Sequence, residues 1–522
     1  MANANTEKRE NRGLILTVLL IAVFMAVLDT SIVNVSLPKM MQVFGVSTDE
    51  IQWVVTAYSL VVGTIIPITG YLTERFGYKR IFMIALFLFT LGSLLCGLAW
   101  SNAVMVLFRI IQAIGGGALM PVAQAMIFRM FAREKRGQAM GMFGIAIMFA
   151  PAIGPTLSGY ITEYLNWRLI FFINVPIGLV ALFLATAAMR EMEHYTEQKF
   201  DFWGFITSTV GFSTLLYGIG NVADKGWTNT EVLSFIGVGA VSLLAFTIIE
   251  WNKKEPMLQI RVVKHGVFSL TQIILSIASV ILFVPLFLFP IFLENIMGLS
   301  AVQTGLLLLP QALVTGMMMP IAGTLYDRIG ARWLAVAGFA VTAFSMYLTT
   351  FLDVNTPFST IILWLALRGF GISLVMMPIT TAGLNAVPNQ LVNQATALSS
   401  TIRQVAMSFG TAWATLLYSH RIAFHVADNS DQINLFSPTS QMAFNQIQQQ
   451  FMAMGQTMTE AKQSAISYIM GQIQIHSMVQ GMSDVFYVTV WLAVAALLLA
   501  LFITEKRQNR SLRDEPSLSE TG

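Results

Sequence analysis

Residues 47–80 and 300–333 match without a gap at an offset of 253. Ser47 pairs with Ser300, Gly63 with Gly316, Pro67 with Pro320 and Gly70 with Gly323. Leu72, Glu74, Arg75 and Gly77 pair with Leu325, Asp327, Arg328 and Gly330. In each copy an apolar helix ends in Gly-x-Leu-x-acid-Arg-x-Gly. A chain that repeats in this way folds into two similar halves. In a membrane protein, two such halves suggest alternating access, in which one bundle rocks against the other around a central site. The expectation is a transporter.

Composition places these halves in lipid. Of 522 residues 56% are hydrophobic and 11% charged, with a mean hydropathy of +0.69, whereas soluble domains carry roughly a quarter charged residues. The net charge of +3 gives no support to a nucleic-acid partner. Cys96 is the single cysteine, which excludes an internal disulfide and a cysteine metal cluster. The apolar stretch after Arg12 is too long for a signal-peptide core and reads as a retained first span.

At about 20 apolar residues per span, the chain supplies about fourteen. Six lie between 13–37 and 167–189, two at 203–222 and 232–251, and six between 267–295 and 484–504. The expected fold is all-α and polytopic, with two six-helix bundles and two inserted helices. The organisation is then a tail at 1–12, an N-terminal bundle at 13–189, inserted spans and linkers at 190–266, a C-terminal bundle at 267–504 and a tail at 505–522. Basic residues choose the orientation. Lys8, Arg9 and Arg12 precede the first span; Arg75, Lys79 and Arg80 follow the second; Arg129, Arg133, Lys135 and Arg136 follow the fourth; Lys506, Arg507, Arg510 and Arg513 follow the last. Both termini are therefore expected in the cytoplasm. The outer loop 421–483 is long and polar and contains Thr457-x-x-Glu460, the form of a helix capping box. Its amphipathic continuation suggests a helix resting on the bundle or membrane surface, or a docking site for a partner.

Few charges fall inside the spans. Asp29 lies in the outer half of the first. An intramembrane carboxylate costs about 2.5–3.5 kcal/mol on insertion scales, so it should face the interior and have a function. Low-dielectric surroundings suit reversible protonation of such a group. The residue 253 positions later is Leu282, so the acid belongs to one half; packing is expected to recur in both halves, whereas coupling chemistry need not. Arg109 either snorkels to the nearby membrane surface or faces the interior and tunes Asp29. Arg368 lies deep in the twelfth span beside Gly369 and Gly371, and Arg403 reads as an interfacial anchor. Gly141, Gly154-Pro155 and Gly159 give the fifth span a bent, closely packed helix, as a packing device or a seal between halves. The charges at Glu74-Arg75-x-Gly77-x-x-Arg80 and Asp327-Arg328 are candidates for an inner gate. All five histidines fall outside or at the edge of spans. No phosphate-cradling loop, nucleophile elbow or His-x-x-x-His pair occurs, which argues against an enzyme, an ATP-driven pump or a metal site.

Together these residues resemble the major facilitator superfamily, in particular the fourteen-span drug/proton antiporters of the EmrB/QacA type. Gly70 through Arg80 is similar to its loop motif, with Glu74 where Asp is usual. Arg109 and Gln112 match the fourth-span motif, with Ala113 in place of Gly. Gly141, Gly154, Pro155 and Gly159 match the antiporter motif, with Ala150 and Ser158 replacing two glycines. Leu28-Asp29-Thr30 through Asn34 and Pro38 resembles the first-span signature, and Trp167 through Gly178 fits as well. The resemblance covers about residues 13–505. It implies export of amphipathic drugs or toxic compounds across a bacterial cytoplasmic membrane, driven by a proton gradient and without a cofactor. Asp29 would carry the proton and Arg109 modulate it; Gln112, Asn34, Asn174 and Arg368 are substrate-cavity candidates. The tenth span has no acid before Asp327 and the thirteenth has none, which counts against divalent cations and against more than one proton. Loop 421–483 resembles that of members that work with an extracytoplasmic adaptor. Alternatives are a dedicated exporter of one metabolite, siderophore or lipid-like compound, and a non-transporting sensor or assembly subunit that uses this loop.

Overall fold

The computed structural model describes residues 2–191, 200–432 and 438–504. His194, Lys506, Arg507, Arg510, Arg513 and the tail at 505–522 lie outside them. The described residues are helical throughout, without a strand. Helices α1 (Ala2–Phe44), α2 (Thr48–Phe76), α3 (Tyr78–Leu98), α4 (Asn102–Met130), α5 (Arg136–Tyr164) and α6 (Asn174–Ala188) form the first group. Then come α7 (Phe202–Gly220) and α8 (Thr230–Asn252). Helices α9 (Gly266–Pro290), α10 (Ala301–Ile329), α11 (Ala331–Thr349), α12 (Phe358–Asn385) and α13 (Val392–Gln432) follow, with a short α14 (Pro438–Ala453) and α15 (Met458–Ala500).

Thirteen of these helices are long and apolar enough to cross a membrane, among the described residues. The stretch expected as the thirteenth span is helical, as α13, but falls outside that set. Ser399, Ser400, Thr401, Arg403 and Gln404 dilute its apolar face. Because α13 starts at Val392, Arg403 lies about 16 Å along it at 1.5 Å per residue. It is therefore deep in the bundle and not at an interface, as its place in the sequence suggested. Outward-facing Val238, Val241, Leu244 and Ile248 on α8 are exposed, which suits a lipid solvent.

The repeat appears as matched helix starts and stops. Ser47 caps α2 and Ser300 caps α10, each in a full capping box, with Glu50 and Gln303 as the reciprocal partners. Each helix stops at a glycine with positive φ, +90° at Gly77 and +83° at Gly330. A side chain is strained there, and the chain must turn straight into α3 or α11.

The inserted helices α7 and α8 pack on each other, and α7 packs against α2 and α13. Thr64 and Ser213 hydroxyls meet at 3.0 Å. Asp201 caps α7 through the Gly204 N–H (2.9 Å) and pairs with Lys253 (2.7 Å). The buried Glu250 accepts from the Leu258 N–H (3.0 Å). Glycines set the closest crossing, that of α5 and α10. A Cβ on Gly141 would lie 2.5 Å from the Met319 carbonyl oxygen and 2.7 Å from Pro320 Cα. One on Gly159 would lie 2.9 Å from a Val302 methyl.

The region 421–483 differs from the expectation of a surface helix. The capping box at Thr457–Glu460 forms, but the helix it opens runs unbroken into the last span. At 1.5 Å per residue α15 is about 65 Å long, twice the roughly 30 Å of a hydrocarbon core. It stands beside the equally long α13. Asp484 accepts from Arg421 Nε (2.5 Å) and lies 2.7 Å from His425 Nε2; Asn429 donates to Ser477 and Gln480 (3.0 and 2.9 Å). No proline interrupts 458–500, so nothing in the chain ends the helix at the membrane.

Gly141→Leu would force α5 and α10 apart against backbone that cannot yield. The expected loss is about 1–3 kcal/mol, seen as a lowered melting temperature in detergent and a broadened gel-filtration peak. Gly220→Leu, where a side chain meets nothing within 4 Å, is the control.

Candidate functional site: a buried ion pair and a cross-bundle gate

Asp29 and Arg109 are each 1% exposed, so Arg109 does not snorkel. Its Nη1 donates to Asp29 Oδ2 at 2.5 Å and to Gln112 Oε1 at 2.7 Å, and its Nε donates to the Val54 carbonyl at 3.2 Å. The guanidinium carbon lies 4.0 Å from the centre of the Tyr58 ring. The other carboxylate oxygen, Oδ1, accepts from Gln112 Nε2 (2.8 Å) and Asn174 Nδ2 (3.2 Å). Both amides also reach the Ser93 hydroxyl (2.7 and 3.4 Å). Helices α1, α2, α3, α4 and α6 thus converge on one carboxylate. The approach of α4 to α3 depends on Gly92, where a Cβ would lie 2.5 Å from Gln112 Cα.

This arrangement has a chemical consequence. Two neutral amide donors occupy Oδ1, whereas the guanidinium occupies Oδ2. Among the described residues Arg109 is the one charged partner of Asp29, so neutralising that carboxylate would weaken its hold on Arg109. The guanidinium would keep the Gln112 and Val54 carbonyls and the Tyr58 face as partners.

Helix α5 joins this site to the second half. Pro155 has no N–H to give the carbonyl of Pro151, four residues earlier, and the Ser31 hydroxyl of α1 donates to that carbonyl at 3.3 Å. A Cβ on Gly154 would lie 2.7 Å from Ser31 Cβ. Gly154 and Pro155 therefore hold α5 against α1 two residues from Asp29, while Gly141 and Gly159 hold it against α10. Ser158, in place of a motif glycine, donates to the Ile32 carbonyl (2.7 Å) and meets Ser36 (2.8 Å), further fastening α5 to α1.

The motif charges meet at the opposite, basic end of the bundle. Asp327 on α10 accepts from the N–H groups of Gly137 (3.1 Å) and Gln138 (3.3 Å) at the start of α5, where the helix dipole favours a carboxylate. Glu74 on α2 accepts from Gln394 Nε2 of α13 (2.9 Å). Arg136 donates to Asn385 (2.9 Å) and Asn389 (3.3 Å). These hydrogen bonds cross between the halves at one end, around a cavity of about 500 Å³ lined by Glu74, Tyr78, Arg129, Arg136 and Gln394. Among the described residues no ion pair joins the Glu74-Arg75 motif to the Asp327-Arg328 motif; each acid bonds to uncharged donors instead. Arg75 bonds to the Tyr71 hydroxyl and lies over the Tyr71 and Phe76 rings. Gly70 lets Gln394 approach, and at Gly77 the Glu191 carboxylate accepts from the N–H groups of Lys79 (3.0 Å) and Arg80 (3.3 Å). Arg80 and Arg328 are exposed.

The cavity candidates are dispersed. Gln112 and Asn174 belong to the Asp29 network. Asn34 is exposed, about 140° around α1 from Asp29 at 3.6 residues per turn. Arg368 is buried in the second half, where its Nη2 donates to Gln311. Sequence reasoning missed Ser93, Tyr58, Glu191, Gln311 and Gln394. Tyr58 and Gln311 had a signal, since they are mates in the 253-residue repeat. The others are ordinary polar residues whose role depends on what packs opposite.

A family model described as the Major Facilitator Superfamily matches residues 19–411. The chain belongs to the major facilitator superfamily. Among superfamily relatives, the uncharacterized MFS-type transporter YhcA of Bacillus subtilis is 40% identical over 98% of this chain and 96% of its own length. The multidrug export protein EmrB of Haemophilus influenzae is 30% identical over 92% and 93%. The solved structure of the superfamily proton:xylose symporter XylE is similar at a TM-score of 0.58, with 16% identity over 95% of this chain and 97% of that one. That likeness concerns the fold alone. This chain is a superfamily transporter with many apolar helices.

Removing one partner of the buried pair leaves the other charge uncompensated. Asp29→Asn is expected to cost about 3–5 kcal/mol, and Arg109→Gln in the same chain should restore part of it. Thermal melts of the two single variants and the double variant measure this coupling. Asp327→Ala should loosen the gate. In a Cys96→Ser background, a cysteine at Asn389 should then react with a membrane-impermeant maleimide several-fold faster than with Asp327 present, whereas an unchanged rate would deny Asp327 that role.

Proposed function

We propose that the protein is a proton-coupled antiporter that exports amphipathic drugs or other toxic compounds. It would sit in a bacterial cytoplasmic membrane with the basic end and both termini inside. The observation that carries the reading is Asp29, a carboxylate buried in the first span whose Oδ2 is held by the buried cation Arg109. In an outward-facing state Asp29 takes a proton from outside. Arg109 leaves, α1 and α5 shift together through Ser31 and Pro151, and the α5–α10 contact passes the shift to the second half. The bonds of Glu74, Arg136 and Asp327 break, and the basic end opens. Asp29 then releases its proton inward and a substrate binds. Export by EmrB, a relative over nearly the whole chain, supports the direction of transport. The proton gradient is the only energy source the cycle requires, and one acid supports one proton per cycle.

The division into bundles at 13–189 and 267–504, with 190–266 inserted, follows the same reading. The projecting pair α13 and α15 is the surface an extracytoplasmic adaptor would meet. Deletion of 421–483 should abolish recovery of an adaptor in a pull-down if one is bound there.

Everted vesicles test the central claim. Addition of a cationic dye or a lipophilic neutral drug to energised wild-type vesicles should trigger proton release, and Asp29→Asn should reduce the signal to background. Release that survives in Asp29→Asn would remove Asp29 from the proton path. No release in wild type across a broad compound panel would favour a dedicated exporter or a non-transporting subunit.

A further inference from the structure

We propose that Arg368 recognises a carboxylate on the exported compound, so that amphipathic organic acids are among the substrates. The inference rests on the export function above and narrows its substrate class.

Arg368 is 1% exposed, yet its Nε and Nη1 have no hydrogen-bond partner. Its one bond runs from Nη2 to Gln311 Oε1, a neutral acceptor. Among the described residues no ion pair reaches it. An isolated buried charge is among the most unfavourable features a protein can hold. Arginine cannot escape by losing its proton. A packing role would be filled by leucine or methionine without that penalty, so the guanidinium is retained for something that arrives.

The two buried arginines differ in their partners. In the first half, Arg109 lies over Tyr58 and is neutralised by Asp29. In the second half Gln311 stands at the repeat position of Tyr58 and Leu282, 7% exposed, at that of Asp29, while Arg368 lies six residues beyond Ile362, the repeat position of Arg109. The second half therefore holds a cation without its acid. The first half binds a proton on its own carboxylate; the second is built to receive a carboxylate from outside the chain. Charge-assisted hydrogen bonds to such a group are stronger than neutral ones.

The surroundings select the rest of the molecule. The Phe289 ring centre lies 5.4 Å from the guanidinium carbon and offers an apolar wall. Gln311 is only half-buried, so one side chain separates the cation from an accessible surface. Gly369 brings α12 against α10, where a Cβ would lie 2.6 Å from the Gln311 carbonyl; that side is filled, and the ligand must enter past Gln311. An aromatic acid matches the wall and the charge together.

The probes are 1-pyrenebutyrate and its methyl ester, with equilibrium binding to the full chain in nanodiscs read by tryptophan-to-pyrene energy transfer. No proton gradient is present, so the result is independent of proton coupling, which the vesicle experiment tests separately. Wild type should bind the acid about tenfold or more tightly than the ester, a difference of about 1.4 kcal/mol. R368Q should bring that ratio near one, and R368K, which keeps the charge, should keep part of it. No preference in wild type, or the same preference in R368Q, would overturn the proposal. Should R368Q fail to fold, R368K decides alone: a preserved preference supports the proposal, and equal binding of acid and ester overturns it.

Discussion

The structure turns on one buried ion pair. Asp29 and Arg109 sit in a region with almost no other charge, and neither is tolerable without the other. Four helices besides α1 contribute to holding them, through Val54, Ser93, Gln112 and Asn174. The site is satisfied bond by bond, which gives the first half a defined resting geometry. In the proposed cycle that geometry is conditional, because a proton on Asp29 would remove the attraction that holds Arg109.

In the proposed cycle α5 would carry this local event to the second half. Its two internal prolines would be a defect in an isolated helix. Here the carbonyl freed by Pro155 is taken by Ser31 of α1, and the glycines on the other face admit α10 to backbone contact. A helix fastened to α1 beside Asp29 on one side and to α10 on the other cannot respond to one alone. The basic end, the gate of the proposed cycle, is held by hydrogen bonds of Glu74, Arg136 and Asp327 to neutral partners. Such bonds exchange readily with water and leave no stranded ion when the gate parts, unlike a buried salt bridge.

The fold was largely legible in the sequence because apolar length, glycine stops and capping residues are local signals. The matched boxes at Ser47 and Ser300 and the stops at Gly77 and Gly330 follow from short-range chemistry. The region 421–483 was harder. Its capping box was readable, but an amphipathic helix that continues a span has the same local pattern as one lying on a surface. Arg403 was misplaced for a similar reason, since polar residues at the start of α13 hide a helix that begins earlier.

At the candidate site, the sequence by itself determined that Asp29 and Arg109 are rare charges in apolar spans, and that the acid belongs to one half. Rarity in a membrane is a statement about cost, and cost can be read residue by residue. Only the tertiary structure decided that they face each other, that Gln112 and Asn174 complete the shell, and that Glu74 and Asp327 reach across to α13 and α5. It also decided that Arg368 has no acid beside it. Partnership depends on which helix packs opposite, and helices some 80 residues or more apart in the chain are brought together by the whole bundle, not by any local pattern.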